Sequence, residues 1–189
     1  MQNERILCAG FGGQGVMSLG KLIACAAMLD GREVTWMPSY GPEMRGGTAY
    51  CSVVVSDHPV GSPIVTSNAT SLIVMNLPSL EKFERSVVPS GLILMNSSLI
   101  NRKVRRKDVN VRALNANNLA DACANPKAAN LVMLGAYMAL KGFPRMDRVV
   151  QALKQIFGIR SSNVMDLNIK ALQCGIDAIT MPTEPRKAA

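Results

Sequence analysis

Short apolar runs separated by longer, glycine- or proline-punctuated stretches fill the first two thirds of the chain, and within the runs polarity scarcely alternates. Arg5–Ala9, Leu72–Met75 and Leu92–Met95 are nearly continuous apolar segments bounded by glycine, asparagine or proline. That pattern predicts strands buried on both faces. Glu33–Met37 and the β-branched Thr48–Val55 read as further strands, with Asn110–Ala113 as the last. Between them, Gly15–Leu29 reads as a helix apolar almost all round, ended at Asp30-Gly31, and Pro78–Val88 as a second. From Asn118 onward the pattern is helical: a short piece to Ala122, then Pro126–Leu140, Asp147–Phe157 and Asn163–Ile179. Strands alternating with helices predict a mostly parallel sheet covered on both faces. The expectation is a three-layer α/β/α Rossmann-like sandwich with a helical C-terminal third, formed by residues 1–189 as one domain. Ligands of such sheets sit at the carboxyl ends of the strands, so the turns after the strands are expected to share one rim.

Composition narrows the chemistry. Apolar residues make up 48% of the chain and aromatics only 4%, so the core has to be aliphatic, with methionine filling its gaps. A formal charge of +8 favours an acidic partner or an anionic ligand. Cys8, Cys25, Cys51, Cys123 and Cys174 are dispersed with no C-x-x-C spacing, which excludes a local iron–sulfur or zinc motif and reads as reduced core thiols. The start, MQNERILCAG, lacks the pattern of a signal peptide, and the apolar run Leu131–Leu140 is shorter than the about 20 residues a bilayer needs. A soluble, cytoplasmic chain without membrane contacts is expected. Two largely apolar helices are hard to bury in a domain this small. Part of one is therefore expected to cover another subunit, and the isolated chain to self-associate as a homo-oligomer.

Gly10-x-Gly12-x-x-Gly15, with Gly13 between, matches the dinucleotide fingerprint at a strand-to-helix turn. A nicotinamide site also wants an acidic residue closing the second strand, where this chain has Met37, Pro38 and Ser39. The fingerprint is half met. The competing reading is a tight turn that packs helix on sheet and meets a partner chain or an acyl-carrier phosphate. Downstream, Ser39–Gly47 (SYGPEMRGG) sets Tyr40, Glu43, Met44 and Arg45 among Gly41, Pro42, Gly46 and Gly47, a loop of defined shape. Tyrosine, methionine and arginine favour interface centres, while a Glu43–Arg45 pair bracing the turn is the plainer alternative. Glu43 has no second titrating group beside it, a poor basis for acid–base catalysis. His58, the only histidine, stands in turn chemistry and reads as a surface residue. Arg102–Lys107 carries five positive charges in six residues without aromatic interleaving. That argues against nucleic acid and for a solvated connection, or for a contact with an acidic electron carrier or anionic ligand.

In order and spacing, GFGGQGV at Gly10–Val16, SYGPEMRGG, PSLEKF at Pro78–Phe83, NSSLI at Asn96–Ile100, NPKAANLVMLGAYMAL at Asn125–Leu140 and NIKALQCG at Asn168–Gly175 resemble one family. They are similar to the gamma subunit of the thiamine-diphosphate-dependent 2-oxoacid:ferredoxin oxidoreductases, in its 2-oxoglutarate and ketoisovalerate form more than its pyruvate form. The resemblance implies oxidative decarboxylation of a 2-oxoacid, foremost 2-oxoglutarate, to its acyl-coenzyme A, with reduction of ferredoxin. It implies alpha and beta chains holding thiamine diphosphate and magnesium, and a beta or delta chain carrying the iron–sulfur clusters. The gamma chain would pack against them, bordering the coenzyme A side, with no cofactor held firmly, no metal and no catalytic residue of its own. Gly12, Gly13, Gln14, Ser39, Tyr40, Glu43, Met44 and Arg45 are the residues expected to face ligand or companion subunit. The alternatives are a free-standing nucleotide-binding oxidoreductase and a purely structural assembly subunit.

Overall fold

The computed structural model describes residues 3–40, 48–158 and 161–181. Strands β1 (Glu4–Phe11), β2 (Glu33–Tyr40), β3 (Thr48–Ser56), β4 (Ala69–Val74), β5 (Val87–Asn96) and β6 (Asn110–Leu114) form one sheet in the order β2-β3-β1-β4-β5-β6. β1, β4, β5 and β6 are parallel neighbours. β3 lies antiparallel to both β1 and β2, with Cys8 opposite Cys51 and Trp36 opposite Val53. Among the described residues, β3 is thus the one strand that runs against the other five. The sheet is mostly parallel, as the apolar runs predict, and the carboxyl ends of β1, β2, β4 and β5 meet along one rim.

The helices are α1 (Val16–Leu29), α2 (Leu77–Phe83), α3 (Ala116–Ala122), α4 (Ala129–Lys141), α5 (Met146–Phe157) and α6 (Ser162–Thr180). α1 lies on β1, β2 and β3 and is covered from outside by α5, so its lack of a polar face is explained within the chain. α4 is covered by α6. Leu131 through Met138 are all buried. The expectation that part of an apolar helix must cover another subunit is therefore corrected. Gly135 and Gly175 let α4 and α6 approach closely, and α3, α1 and β5 pack on the rest of α4, so the helix is buried within the chain. The opposite face of the sheet is thinner: α2 inserts Leu80 and Phe83 beside Leu72, Val74 and Ile93, and the connections flanking β4 and β6 add Val65 and Ile100.

Two further expectations are corrected here. The second helix ends at Phe83, a 3-10 turn follows at Glu84–Ser86, and Val87 and Val88 already belong to β5. Apolar residues at that junction fit a helix face and a strand equally well, and pairing of Val87 with Ala69 decides for the strand. Nor are all the cysteines reduced: Cys123, just after α3, forms a disulfide with Cys174 on α6, while Cys8, Cys25 and Cys51 are free. The partners lie 51 residues apart, so their pairing is made by the packing of α3 on α6 and leaves no local spacing. His58 is exposed, as expected. β2 is an edge strand and carries Pro38, a position where proline breaks no central ladder. Among the described residues, no helix is long and apolar enough to cross a membrane.

Candidate functional site

The chain leaves β1 toward the face of the sheet covered by α1 and leaves β4 toward the face covered by α2. The crevice between the carboxyl ends of these adjacent strands is the topological switch point, where open α/β sheets bind ligands. One side chain organises it. The carboxamide oxygen of Gln14 accepts from the Phe11 N–H at 2.7 Å and from Nδ2 of Asn76 at 3.0 Å. Asn76 in turn caps α2, its Oδ1 accepting from the Ser79 N–H at 2.9 Å. Gly10 makes room for this arrangement, since a Cβ there would stand 2.7 Å from the Gln14 oxygen. The turn then needs positive φ at Gly13 (92°) and at Gly15 (73°), which is the N-cap of α1. With glycine as N-cap, no side chain caps the first turn of α1. The positive end of α1 thus starts beside the exposed Gly12 and Gly13.

Beside that helix start lies a cleft of about 260 Å³ between α1, α4, α5 and α6. Asn130 ties its wall to the glycine turn, donating through Nδ2 to the Gly15 carbonyl at 3.2 Å. Asn125 donates to Asn168 at 3.4 Å, Lys127 supplies an exposed cation, and half-exposed Phe157 forms an apolar side. Residue-by-residue reading missed this group. NPKAAN was visible only as a family-like stretch, because nothing in the sequence says that α4 begins next to α1.

Of the predicted site residues, Gly12, Gly13 and Gln14 stand together. Ser39 is on the same rim but two strand spacings away, about 10 Å, and it lines a different groove. That groove, about 440 Å³, opens on the α2 side between Met37, Tyr50, Ile64 and Phe83. Tyr40 closes β2, whereas Glu43, Met44 and Arg45 lie outside the described residues. At the third turn, Asn96 is fully buried and spends its carboxamide on the N–H groups of Ser98 and Ala116 and on Asn117 Oδ1. It is a structural brace.

The chemistry of the rim is that of neutral amides, glycine N–H groups and one lysine. Groups with displaced pKa lie elsewhere. The Cys8 thiol is pushed up by its hydrogen bond to Cys51 and by burial, and the Tyr137 hydroxyl is pushed up by burial; both are sealed in the core. No set of three or more His, Cys, Asp or Glu that could hold a metal occurs among the described residues. The arrangement suits binding and orientation. Among the described residues it offers no acid–base pair.

Residues 5–178 match the family model described as pyruvate ferredoxin/flavodoxin oxidoreductase. The chain belongs to this family. Within the pyruvate ferredoxin/flavodoxin oxidoreductase family it is 39% identical over 175 residues to the ketoisovalerate oxidoreductase subunit VorA of Methanothermobacter thermautotrophicus, covering 92% of this chain but 36% of VorA. The chain therefore spans about a third of that relative's length. It is 30% identical over 153 residues to the 2-oxoglutarate synthase subunit KorC of Methanocaldococcus jannaschii, covering 79% of this chain and 81% of KorC. In three dimensions it is similar to the keto/oxoacid ferredoxin oxidoreductase gamma subunit of Geobacter sulfurreducens (TM-score 0.77, 28% identity, 93% and 98% of the two chains). It also shares its fold with part of the 2-oxoglutarate:ferredoxin oxidoreductase of Magnetococcus marinus (TM-score 0.86, 21% identity, 98% of this chain and 32% of that one), which was solved with 2-oxoglutarate, coenzyme A and succinyl-CoA bound.

Proposed function

We propose that this chain is the gamma subunit of a 2-oxoacid:ferredoxin oxidoreductase, with 2-oxoglutarate as the foremost substrate. It works beside alpha and beta chains, and in some assemblies a delta chain, and borders the coenzyme A side of their site. The observation that carries this reading is a switch-point rim whose described residues suit binding, with an uncapped helix start and a lysine-bearing amide cleft. Coenzyme A fits that chemistry. Phosphates suit the first-turn N–H groups of α1 and the Lys127 ammonium, amides of the pantetheine arm suit Asn125, Asn130 and Asn168, and Phe157 offers an apolar face. When bound, coenzyme A supplies the thiol that accepts the acyl group; the residues here hold and orient it. Ser39, Tyr40, Glu43, Met44 and Arg45 belong in this proposal to the surface that meets companion chains or ligand. Thiamine diphosphate, magnesium and iron–sulfur clusters find no matching residue set among the described ones.

Reconstitution with companion chains tests the reading. Omitting this chain should abolish acyl-CoA formation. Lys127→Ala should raise KM for coenzyme A roughly tenfold, the loss of one charge-assisted contact, and leave KM for the 2-oxoacid unchanged. Full activity without the chain, or equal shifts in both constants, would reject it. A free-standing nucleotide-binding enzyme is the second reading, favoured by the glycine turn alone. β2 ends in Ser39 and Tyr40 with no carboxylate for a ribose, and calorimetric titration with NAD, NADP and FAD decides against it if no heat of binding is seen.

A further inference from the structure

A second recess, about 530 Å³, lies away from the rim on the α2 face of the sheet, where the 3-10 turn before β5 meets the connection between β5 and β6. Everything lining it is charged: five cations, Lys82, Arg85, Arg102, Arg105 and Arg106, against the carboxylates of Glu81 and Glu84. A segment with five positive charges in six residues should repel itself into an extended, solvated strand. Here it is folded into a fixed arc by one buried carboxylate. Glu84 accepts from the Arg102 guanidinium at 2.8 Å and from the Arg105 and Arg106 N–H groups, and Arg106 reaches back to the carbonyl of Val87 and to Asp108.

The arc consumes Arg102 and Arg106, and Lys82 leans over the rings of Tyr50 and Phe83 at 5.0 and 5.2 Å. Arg85 and Arg105 are left exposed, and no described residue supplies a partner to either guanidinium. Planar, weakly hydrated forks held in a concave site are suited to carboxylates. No apolar residue lines the recess, whereas permanent subunit interfaces have apolar centres. Its position near the start of β5 separates it from the rim where substrate is proposed to bind.

From this charge complementarity we infer that the recess is a docking point for a carboxylate-rich surface segment of an acidic protein that associates transiently and salt-dependently. The inference does not depend on the coenzyme A reading. The full chain, titrated with fluorescein-labelled octaglutamate, should raise its anisotropy at about 0.01 M salt and lose most of that signal at about 0.1 M, as the screening length falls from roughly 30 Å to roughly 10 Å. Arg85→Glu/Arg105→Glu should weaken binding at least about tenfold, with an unchanged thermal melt because neither guanidinium braces the fold. Lys103→Glu/Lys107→Glu makes the same change in net charge on exposed residues of the same run outside the recess, and should weaken binding less than about twofold. Equal losses in the two variants would mean that bulk charge alone binds the peptide. Tighter binding of inorganic pyrophosphate than of octaglutamate would make the recess a small-anion site. Either result overturns the inference.

Discussion

The reciprocal glycine contacts between α4 and α6 give a sharp test of how this domain buries its own apolar helices. A Cβ placed on Gly135 would stand 1.9 Å from the carbonyl oxygen of Leu172 and 2.8 Å from its carbon, and one on Gly175 would stand 1.9 Å from the carbonyl oxygen of Val132. Ordinary contact begins at 3.4 Å, so Gly135→Ala demands a retreat of about 1.5 Å, the difference between 3.4 and 1.9 Å. The obstacle is backbone in the middle of a helix, and no rotamer change relieves it. Alanine gains about 1 kcal/mol in helix propensity over glycine. Against this, overpacking costs about 1–3 kcal/mol or more, and the retreat also opens voids around the buried Val132, Ala136 and Leu172. A net loss of about 2–3 kcal/mol lowers Tm by roughly 4–12 °C for a chain of this size. Gly175→Ala should behave alike. The double variant should cost less than the sum, because one displacement of α6 accommodates both methyls. Gly61→Ala, exposed with nothing within 4 Å of its Cβ, is the control and should stay within about 0.5 kcal/mol. Calorimetric melting of the four variants and the parent is the assay. A Gly135→Ala protein that melts with or above the parent would show that α6 is not seated as described.

Glu84→Gln should destabilise the chain by about 1–3 kcal/mol at neutral pH. Burial pushes the Glu84 carboxyl up, but the Arg102 guanidinium and the Arg105 and Arg106 N–H groups outweigh it and hold the pKa below the usual value. Its contribution is therefore present above the unfolded carboxyl's pKa, about 4.3, and is lost as pH falls through the lower folded value. Melting curves of parent and variant should converge only below about pH 4. Cys123→Ser, or reductant on the parent, releases a constraint spanning 51 residues and should cost up to about 4 kcal/mol; melts with and without dithiothreitol measure it. Asn76→Ala removes the α2 cap and the anchor of Gln14 together. It should cost about 1–2 kcal/mol and weaken coenzyme A binding measured by titration, whereas a purely structural cap would change only the first.

The strands were legible because parallel neighbours buried on both faces must read as unbroken apolar runs, and the glycine turn because positive φ leaves few residue choices. The direction of β3 was not, since Thr48–Val55 would look the same in either sense. Val87 and Val88 stand at a boundary where burial suits both periodicities. Gln14 and the turn at Asn76 could be placed on one rim from strand order alone. Their side-chain bond needed the third dimension, as did the Asn130–Gly15 contact and the disulfide, whose partners are joined only by tertiary packing. The burial of α4 is not legible in the sequence, because Gly135 reads as a modest relief of crowding and gives no hint of backbone-to-backbone approach.

Pro38 has a consequence for how any other polypeptide can meet this domain. At one margin of the sheet it withdraws a donor from the row an incoming extended segment would need, so growth of the sheet by strand addition is discouraged there. Association along that margin has to proceed through side chains such as the exposed Met37. Strand addition by a second copy is disfavoured at that margin, and replacing Pro38 with a β-branched residue would remove the safeguard.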